Sequence, residues 1–375
     1  MKVAHLISSC IPGGPQVFVK SLLKQLYLEG NEVELWVMIK AKDISYTNDQ
    51  SICFEEKFIE ELENTNIPVR FIGKRPNKDW YKTSKNLNKL FLQFRPDIVH
   101  SHSESGTFHT CRALDTKVKI IQTIHSTKIT QKFIQKFYIN PRCSIFVAIS
   151  NKVRTILEDN LKISPEKIKL IYNGIDTNDF LYENRNVKNK VKSIVSIGRF
   201  TKAKDYPNLL SAFSLLKSLL ENERLDVPNL LLVGEGELRN QIEDEVKEKK
   251  LSENVKFLGV RNDISEILKH SDIYVMSSQW EGLSISLIEA LASGIPIVTT
   301  DAGSNNEIVE NNVSGLIVPI KDPEALANGL YKLIIDDQIR EKFSEEASKR
   351  AKLFTIEECA KKHLEMYKEL LDHRK

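Results

Sequence analysis

Cysteine is scarce in this 375-residue chain, and what there is shows no pairing pattern. The five cysteines (Cys10, Cys53, Cys111, Cys143 and Cys359) make no CxxC or other ligand-like spacing. That argues against a disulphide framework and against a cysteine zinc site, and points to reduced thiols. No apolar run approaches the roughly 18 residues of a membrane span. Residues 2–7, KVAHLI, read as a strand from the start rather than as the apolar core of a signal peptide. The expectation is a cytoplasmic protein. No GxGxxG follows the first strand of either half of the chain, which sets aside a nucleotide-dependent dehydrogenase. Repeats, low-complexity stretches and recognised nucleic-acid-binding modules are all lacking, so no nucleic-acid partner is expected.

What is present has the balance of a folded protein: 41% apolar and 28% charged residues. The length suits two domains of about 150–200 residues. A net charge of +3 conceals an asymmetry. Residues 1–186 carry 27 Lys and Arg against 20 Asp and Glu, and the remainder carries 27 against 31. A basic first half fits an anionic membrane surface or a phosphorylated substrate, and equally fits ordinary lysine-rich solvation.

Short apolar runs alternate with amphipathic stretches along the whole chain. Strands are expected over residues 2–7, 33–39, 97–100, 119–124, 145–149 and 168–171, then over 193–197, 230–233, 255–258 and 273–276. Helices are expected over 16–28, 207–220 and 237–249. Phe18, Leu22 and Leu26 give the first helix its i, i+4, i+8 stripe. This alternation implies an α/β fold of parallel sheets with helices on both faces. Two doubly wound, Rossmann-like domains are expected, 1–184 and 191–354, joined through the polar stretch YENRNVKNK at 182–190. The last helix, 355–371, has Thr355 and Glu358 at capping-box spacing and is expected to pack, within residues 355–375, back on the first domain. Ligands of such folds bind at the carboxyl ends of the strands, here at a cleft between facing sheets.

Residues 279–309, QWEGLSISLIEALASGIPIVTTDAGSNNEIV, are the most informative stretch. Glu281 and Glu289 lie eight residues apart in a segment whose apolar residues belong in a core. Burying an ionised carboxylate is costly unless something pairs with it. Glu281 just before a helix and Glu289 inside it therefore look like a ligand site.

With this stretch, an ordered series of motifs resembles the retaining nucleotide-sugar glycosyltransferases of family 4, which have the GT-B fold. The series is GGPQVFVKSLL, DIVHSHS, IIQTIHST, VAIS, IYNGID, SIGRF, LLVGEGELRNQIE, VKFLG and DIYVMSSQWEG, closing on E-x7-E and the strand after it. The resemblance implies that Gly13 and Gly14 close the first strand–helix turn at the cleft floor, where glycine permits positive φ and close approach to an anion. It implies that Arg199 and Lys204 hold the donor diphosphate. Fixed cations suit a leaving group that gains negative charge, and neither a metal nor a cofactor is expected, since no convincing DxD motif is present. Glu289 would accept both ribose hydroxyls, a task that suits a two-oxygen acceptor. Glu281 would stand beside the donor sugar. Gly282, Leu283 and Ser284 would offer backbone amides to sugar and phosphate, and Glu235 would line the nucleotide pocket through its backbone. The family usually has Gly or Asn after the lysine. Asp205 stands there instead and is expected to tether Lys204 or soften its charge.

His125 is implied to contact the donor sugar and His102 the acceptor or sugar, with His100 as packing. Two stretches, 74–95 and 128–142, interleave lysines with aromatics, as either core helices with wetted basic faces or a membrane-docking surface. The implied activity is transfer of a hexose or N-acetylhexosamine from a nucleotide donor, UDP-linked by expectation, to a glycan or lipid-linked saccharide acceptor of bacterial surface polysaccharide such as O-antigen, capsule or exopolysaccharide. Peripheral contact with the inner face of the cell membrane goes with that acceptor. Three other readings stay open: a GDP-mannose-dependent mannosyltransferase, a UDP-sugar 2-epimerase and a non-catalytic partner subunit.

Overall fold

Among the described residues thirteen strands, all paired in parallel, divide into two sheets, one in each of two compact units of the computed structural model. It describes residues 1–375 apart from 46, 76–78, 115–117, 181–186, 188 and 373–375. The first unit comprises residues 1–174 and 356–375, and the second residues 175–355.

In the first unit β1 (Lys2–Ile7), β2 (Glu32–Val37), β3 (Val69–Phe71), β4 (Ile98–Ser101), β5 (Lys119–Ile124), β6 (Ile145–Ala148) and β7 (Ile168–Leu170) take the order β3-β2-β1-β4-β5-β6-β7. In the second unit β8 (Ser193–Ile197), β9 (Asn229–Val233), β10 (Val255–Gly259), β11 (Ile273–Met276), β12 (Ile297–Thr300) and β13 (Leu316–Val318) take the order β10-β9-β8-β11-β12-β13. Each sheet thus reverses its winding once, between β1 and β4 and between β8 and β11. Covered on both faces, the central strands are buried throughout rather than on alternate residues: β11 (IYVM) and β12 (IVTT) are buried at every position.

The helices follow from the same logic. Gly14–Leu28 starts with Pro15 in its first turn and buries Phe18, Val19, Leu22, Leu23 and Leu26. Tyr206–Asn222 buries Leu209, Leu210, Phe213, Leu216 and Leu220 against its sheet. The helix Ile356–Asp372 belongs to the first unit, packs along Gly14–Leu28, and buries His363, Met366 and Tyr367.

Three details differ from the sequence-based expectations. The first unit ends at Gly174 rather than 184, because Ile175 bridges to Thr355 and its N–H donates to the Phe354 carbonyl, which assigns 175–180 to the second unit. Of the expected connector 182–190, residues 182–186 and 188 lie outside the described residues. Val187 and Asn189 are tied to the second unit, since their carbonyls accept from the Arg340 guanidinium at 2.7 and 3.2 Å. Residues 49–63 and 104–113, given no element in the sequence-based expectations, form the helices Asp49–Glu63 and Glu104–Ala113. Asn48 and Ser103 cap them, accepting from Ser51 N–H and Gly106 N–H. The second of these helices buries Thr107 and Thr110 among its inner residues, which carry no apolar period.

Candidate functional site

In the second unit the expected residues collect beyond the carboxyl ends of β8, β9, β11 and β12, at the point where the winding reverses. Such a point is where open α/β sheets bind ligands. Gly198–Phe200 follows β8, Gly234–Gly236 follows β9, and residues 277–284 follow β11. Two bonds lash the loop after β8 to the end of β11. Ser277 Oγ donates to the Lys204 carbonyl at 2.8 Å, and Gln279 N–H donates to Ala203 at 2.8 Å. A Cβ on Gly198 would lie 2.9 Å from Lys204 Cε, so the bare glycine makes room for the lysine stem.

Lys204 Nζ donates to Glu281 Oε1 at 2.7 Å, and Ser278 Oγ donates to the same oxygen at 2.6 Å. Oε2 of Glu281 makes no hydrogen bond among the described residues. Glu281, rather than the neighbouring Asp205, therefore holds the lysine. Asp205 instead supplies the residue before the Tyr206–Asn222 helix at φ 48°, in the left-handed region that favours Gly and Asn. Arg199 is exposed and has no ion-pair partner among the described residues. The Glu235 side chain is spent on Arg239, which donates to it at 2.8 Å, while its backbone carbonyl accepts from Phe200 N–H at 2.9 Å.

Gly282, Leu283 and Ser284 are buried and lead into the helix Ile285–Ala292, whose first amides have no intrahelical acceptor. Glu289 is one turn further in, 7% exposed. Its carboxylate has no hydrogen bond or ion pair among the described residues, and burial pushes it up to about 7. Tyr274 stands beside it, a phenol raised by burial that donates to Ser286 Oγ at 3.0 Å. The sequence reading passed over Ser278 and Gly303. Gly303, at φ 65°, would drive a Cβ to 2.1 Å from the Glu281 carbonyl, so only glycine lets the loop after β12 brace Glu281. A buried serine three residues before Glu281, and a DAGS turn after a strand, were the signals available.

In the first unit the expected residues lie beyond β1, β4 and β5. Gly13 is extended at φ 172°, not in the positive region expected of it. Its missing side chain matters for space, since a Cβ would sit 2.7 Å from Gln16 Oε1. Gly14 opens the helix. His102 and His125 are in direct contact, Nδ1 to Nε2 at 3.0 Å. His5, unremarked within its apolar strand, continues the series, Nδ1 to His102 Nε2 at 3.0 Å. His100 is packing in the sense expected: fully buried, with its nitrogens on Tyr367 Oη at 2.6 Å and Thr123 Oγ1 at 2.7 Å. Burial holds all of them well below the ordinary histidine value, His5 and His125 at about 3. Ring nitrogens of His5, His100 and His102 lie within 4.8 Å of one another, the one such cluster among the described residues. Both nitrogens of His100 are already bonded to hydroxyls, and His5 and His102 to each other. A cation there would have to break those bonds.

The arrangement matches known proteins along most of the chain. The family model Glycosyltransferase Family 4 matches residues 12–179, and the model Glycosyl transferases group 1 matches residues 178–350. This chain is a family 4 glycosyltransferase. The glycosyltransferase is 28% identical over 281 residues to an Escherichia coli UDP-Gal:alpha-D-GlcNAc-diphosphoundecaprenol alpha-1,3-galactosyltransferase, covering 69% of this chain and 71% of the relative. It is 30% identical over 226 residues to a Campylobacter jejuni 4-alpha-N-acetylgalactosaminyltransferase named for a diphospho-undecaprenol-linked acceptor, covering 59% and 60%. Among solved structures, Anabaena HepE in complex with UDP-glucose superposes with a TM-score of 0.82 at 19% identity, covering 98% of this glycosyltransferase and 100% of HepE. With such neighbours the two sheets are those of a GT-B glycosyltransferase.

Proposed function

We propose that the enzyme transfers a hexose or N-acetylhexosamine from a UDP-sugar to a hydroxyl of a lipid-linked saccharide, with retention at the anomeric carbon and without a metal ion. One observation carries the reading. At one switch point the second unit sets an uncommitted guanidinium, Arg199, an ammonium, Lys204, and a buried, unpartnered carboxylate, Glu289. Those groups suit a diphosphate and a vicinal diol, the two polar ends of a nucleoside diphosphate. In this reading Glu289 receives the ribose hydroxyls, Arg199 and Lys204 stabilise the departing diphosphate, and Glu281 Oε2 faces the sugar. The bond from the anomeric carbon to the phosphate oxygen breaks with its electron pair going to the diphosphate. The acceptor oxygen bonds that carbon, and its proton passes to the diphosphate. Retention is proposed because the relatives are named for α-linked products, the anomeric sense of common UDP-hexose donors.

The lipid-linked acceptor is supported by those relatives and by a surface of the first unit. Phe133, Phe137 and Tyr138 are exposed beside exposed Lys132 and Lys136, and Trp80 and Tyr81 are exposed on Trp80–Phe94 near Lys82 and Lys85. Phe108 joins the two groups, its ring 5.4 Å from Trp80 and 5.9 Å from Tyr138. Such an aromatic and basic face suits the headgroup region of an anionic leaflet.

The test is a thermal-shift panel of UDP, GDP, ADP, CMP and their common sugars, with Glu289→Ala as control. Stabilisation by UDP and one UDP-sugar, lost in the variant, is expected, at about 2.7 kcal/mol when ligand reaches a hundred times Kd. A shift with GDP and GDP-mannose alone rejects the uridine assignment. Transfer activity is expected to survive EDTA, and loss restored by Mg²⁺ overturns the metal-free step.

A further inference from the structure

The loop that carries Arg199 is gripped from one side by a single guanidinium. Arg239 opens the helix Arg239–Glu248, which follows β9. Its Nη1 donates to Glu235 Oε1 at 2.8 Å, and its Nε donates to Glu243 Oε1 at 2.6 Å. The guanidinium carbon lies over two rings, 4.3 Å from the centroid of Phe257 in β10 and 5.6 Å from that of Phe200. Such stacking is open to arginine because its charged group is planar. Phe200 directly follows Arg199, is fully buried, and meets Tyr206 edge-on at 4.7 Å.

The backbone on either side of Arg199 is tied to β9 and the loop after it. Gly198 N–H donates to the Val233 carbonyl at 3.0 Å, Phe200 N–H to the Glu235 carbonyl at 2.9 Å, and Leu238 N–H to the Phe200 carbonyl at 3.0 Å. The two loops lie so close that a Cβ on Gly234 would stand 2.1 Å from the Gly198 carbonyl oxygen, and one on Gly236 2.4 Å from that of Phe200. Both neighbours of Arg199 are therefore held while its own side chain is exposed. The loop after β9 must itself be fixed for these bonds to fix anything. Arg239 does this twice over, through the Glu235 carboxylate and through the Phe200 ring.

We propose that Arg239 is a positioning residue of the nucleotide site. By stacking on Phe200 and Phe257 and gripping Glu235, it fixes the backbone around Arg199 and presents that guanidinium, already placed, to the donor diphosphate. A group ordered in advance loses less freedom when its ligand arrives. The ligand rests on the role given to Arg199 above, whereas the clamp does not.

The test measures UDP affinity by calorimetry on the full-length protein. Arg239→Lys keeps the charge but has no flat face, and is expected to weaken UDP binding about tenfold. In an Arg199→Ala background the same substitution is expected to change affinity by less than about twofold, because the clamp acts through Arg199. Equal losses with and without Arg199 overturn the positioning role. Phe257→Leu removes a ring and no charge; it is expected to act like Arg239→Lys and keeps the test open if the arginine variants do not fold. Recovery of affinity in Arg239→Gln on adding Glu235→Gln would mean that Arg239 only neutralises Glu235 beside an anion, and overturns the clamp. Hydrogen exchange in the ligand-free protein gives a readout free of the ligand's identity. The Phe200 amide is expected to exchange about tenfold faster in Arg239→Lys, with Val195 in mid-β8 unchanged. Unchanged Phe200 exchange in the folded variant overturns the clamp. Failure of UDP to bind the wild type would sink the sugar-transfer reading alone, and Phe200 exchange would still decide the clamp.

Discussion

Both units reverse their winding at the same place in the strand order, yet the side chains gathered there differ in kind. At β1, β4 and β5 the first unit collects imidazoles that burial keeps uncharged and that hydrogen-bond in series to one another. At β8, β11 and β12 the second unit collects charge: Arg199 exposed, Lys204 shared with Glu281, and Glu289 buried alone. One topology thus gathers neutral hydrogen-bonding groups in one copy and charged ones in the other. The chemistry resides in the loops and helix starts beyond the strand ends rather than in the sheet.

The sharpest way to break this contrast is to remove charge from the second unit. Arg199→Ala is expected to cost roughly 3 kcal/mol of transition-state stabilisation, about a hundredfold in kcat/KM. Arg199→Lys should restore part of it. Turnover within twofold of wild type in the alanine variant would leave the ionic half of the comparison without support.

Glu289 gives a second, smaller effect with a sign that can be checked. Its folded-state value of about 7 lies above the ordinary 4.5, so the native state keeps a proton that the unfolded chain has lost between those values. Stability therefore falls as pH rises from 4.5 to 7, and the penalty is complete above that window. Glu289→Gln is expected to raise stability at pH 8 by roughly 1–3 kcal/mol, read by denaturant unfolding, with little change at pH 4. The same variant should weaken UDP binding. In the wild type, affinity should climb as pH rises through 7, because the ionised carboxylate is the better acceptor of a diol. A variant equally stable at both pH values would mean that the carboxylate is not buried uncompensated.

Much of this was legible in the sequence, for reasons that particular residues make plain. The central strands announce themselves because strands covered on both faces are rich in apolar residues at every position rather than alternately, as in IYVM. The strands β3 and β13 went unread; each has three residues, most of them half-buried. Glu281 and Glu289 stood out as carboxylates in an apolar setting. That Lys204 reaches Glu281, 77 positions away, was not readable, since the contact depends on Gly198 yielding its space and Gly303 bracing the far side. His5 was lost inside KVAHLI because a single polar residue in an apolar strand has no partner until the sheet sets it level with His100.

The smallest expected effect concerns Asp205, which departs from the family's usual Gly or Asn. A residue with a Cβ at φ 48° is strained. Asp205→Gly is therefore expected to gain up to about 1 kcal/mol in thermal unfolding with kcat unchanged. Loss of activity in that variant would show that the carboxylate takes part in the ionic region after all.

The return of Ile356–Asp372 to the first unit bears on how the chain is made. The ribosome delivers residues 175–355 before 356–372, so the second unit has all of its sequence while the first still lacks a helix. Domains tend to fold as they emerge, but here the earlier one must wait. Until Tyr367 arrives to hydrogen-bond His100, and Phe18 gains its cover from His363, the imidazole cluster lies open on one side. A nascent chain of this protein is a finished charged half tethered to an unfinished neutral one, and chaperones that meet it will find the N-terminal unit exposed longest.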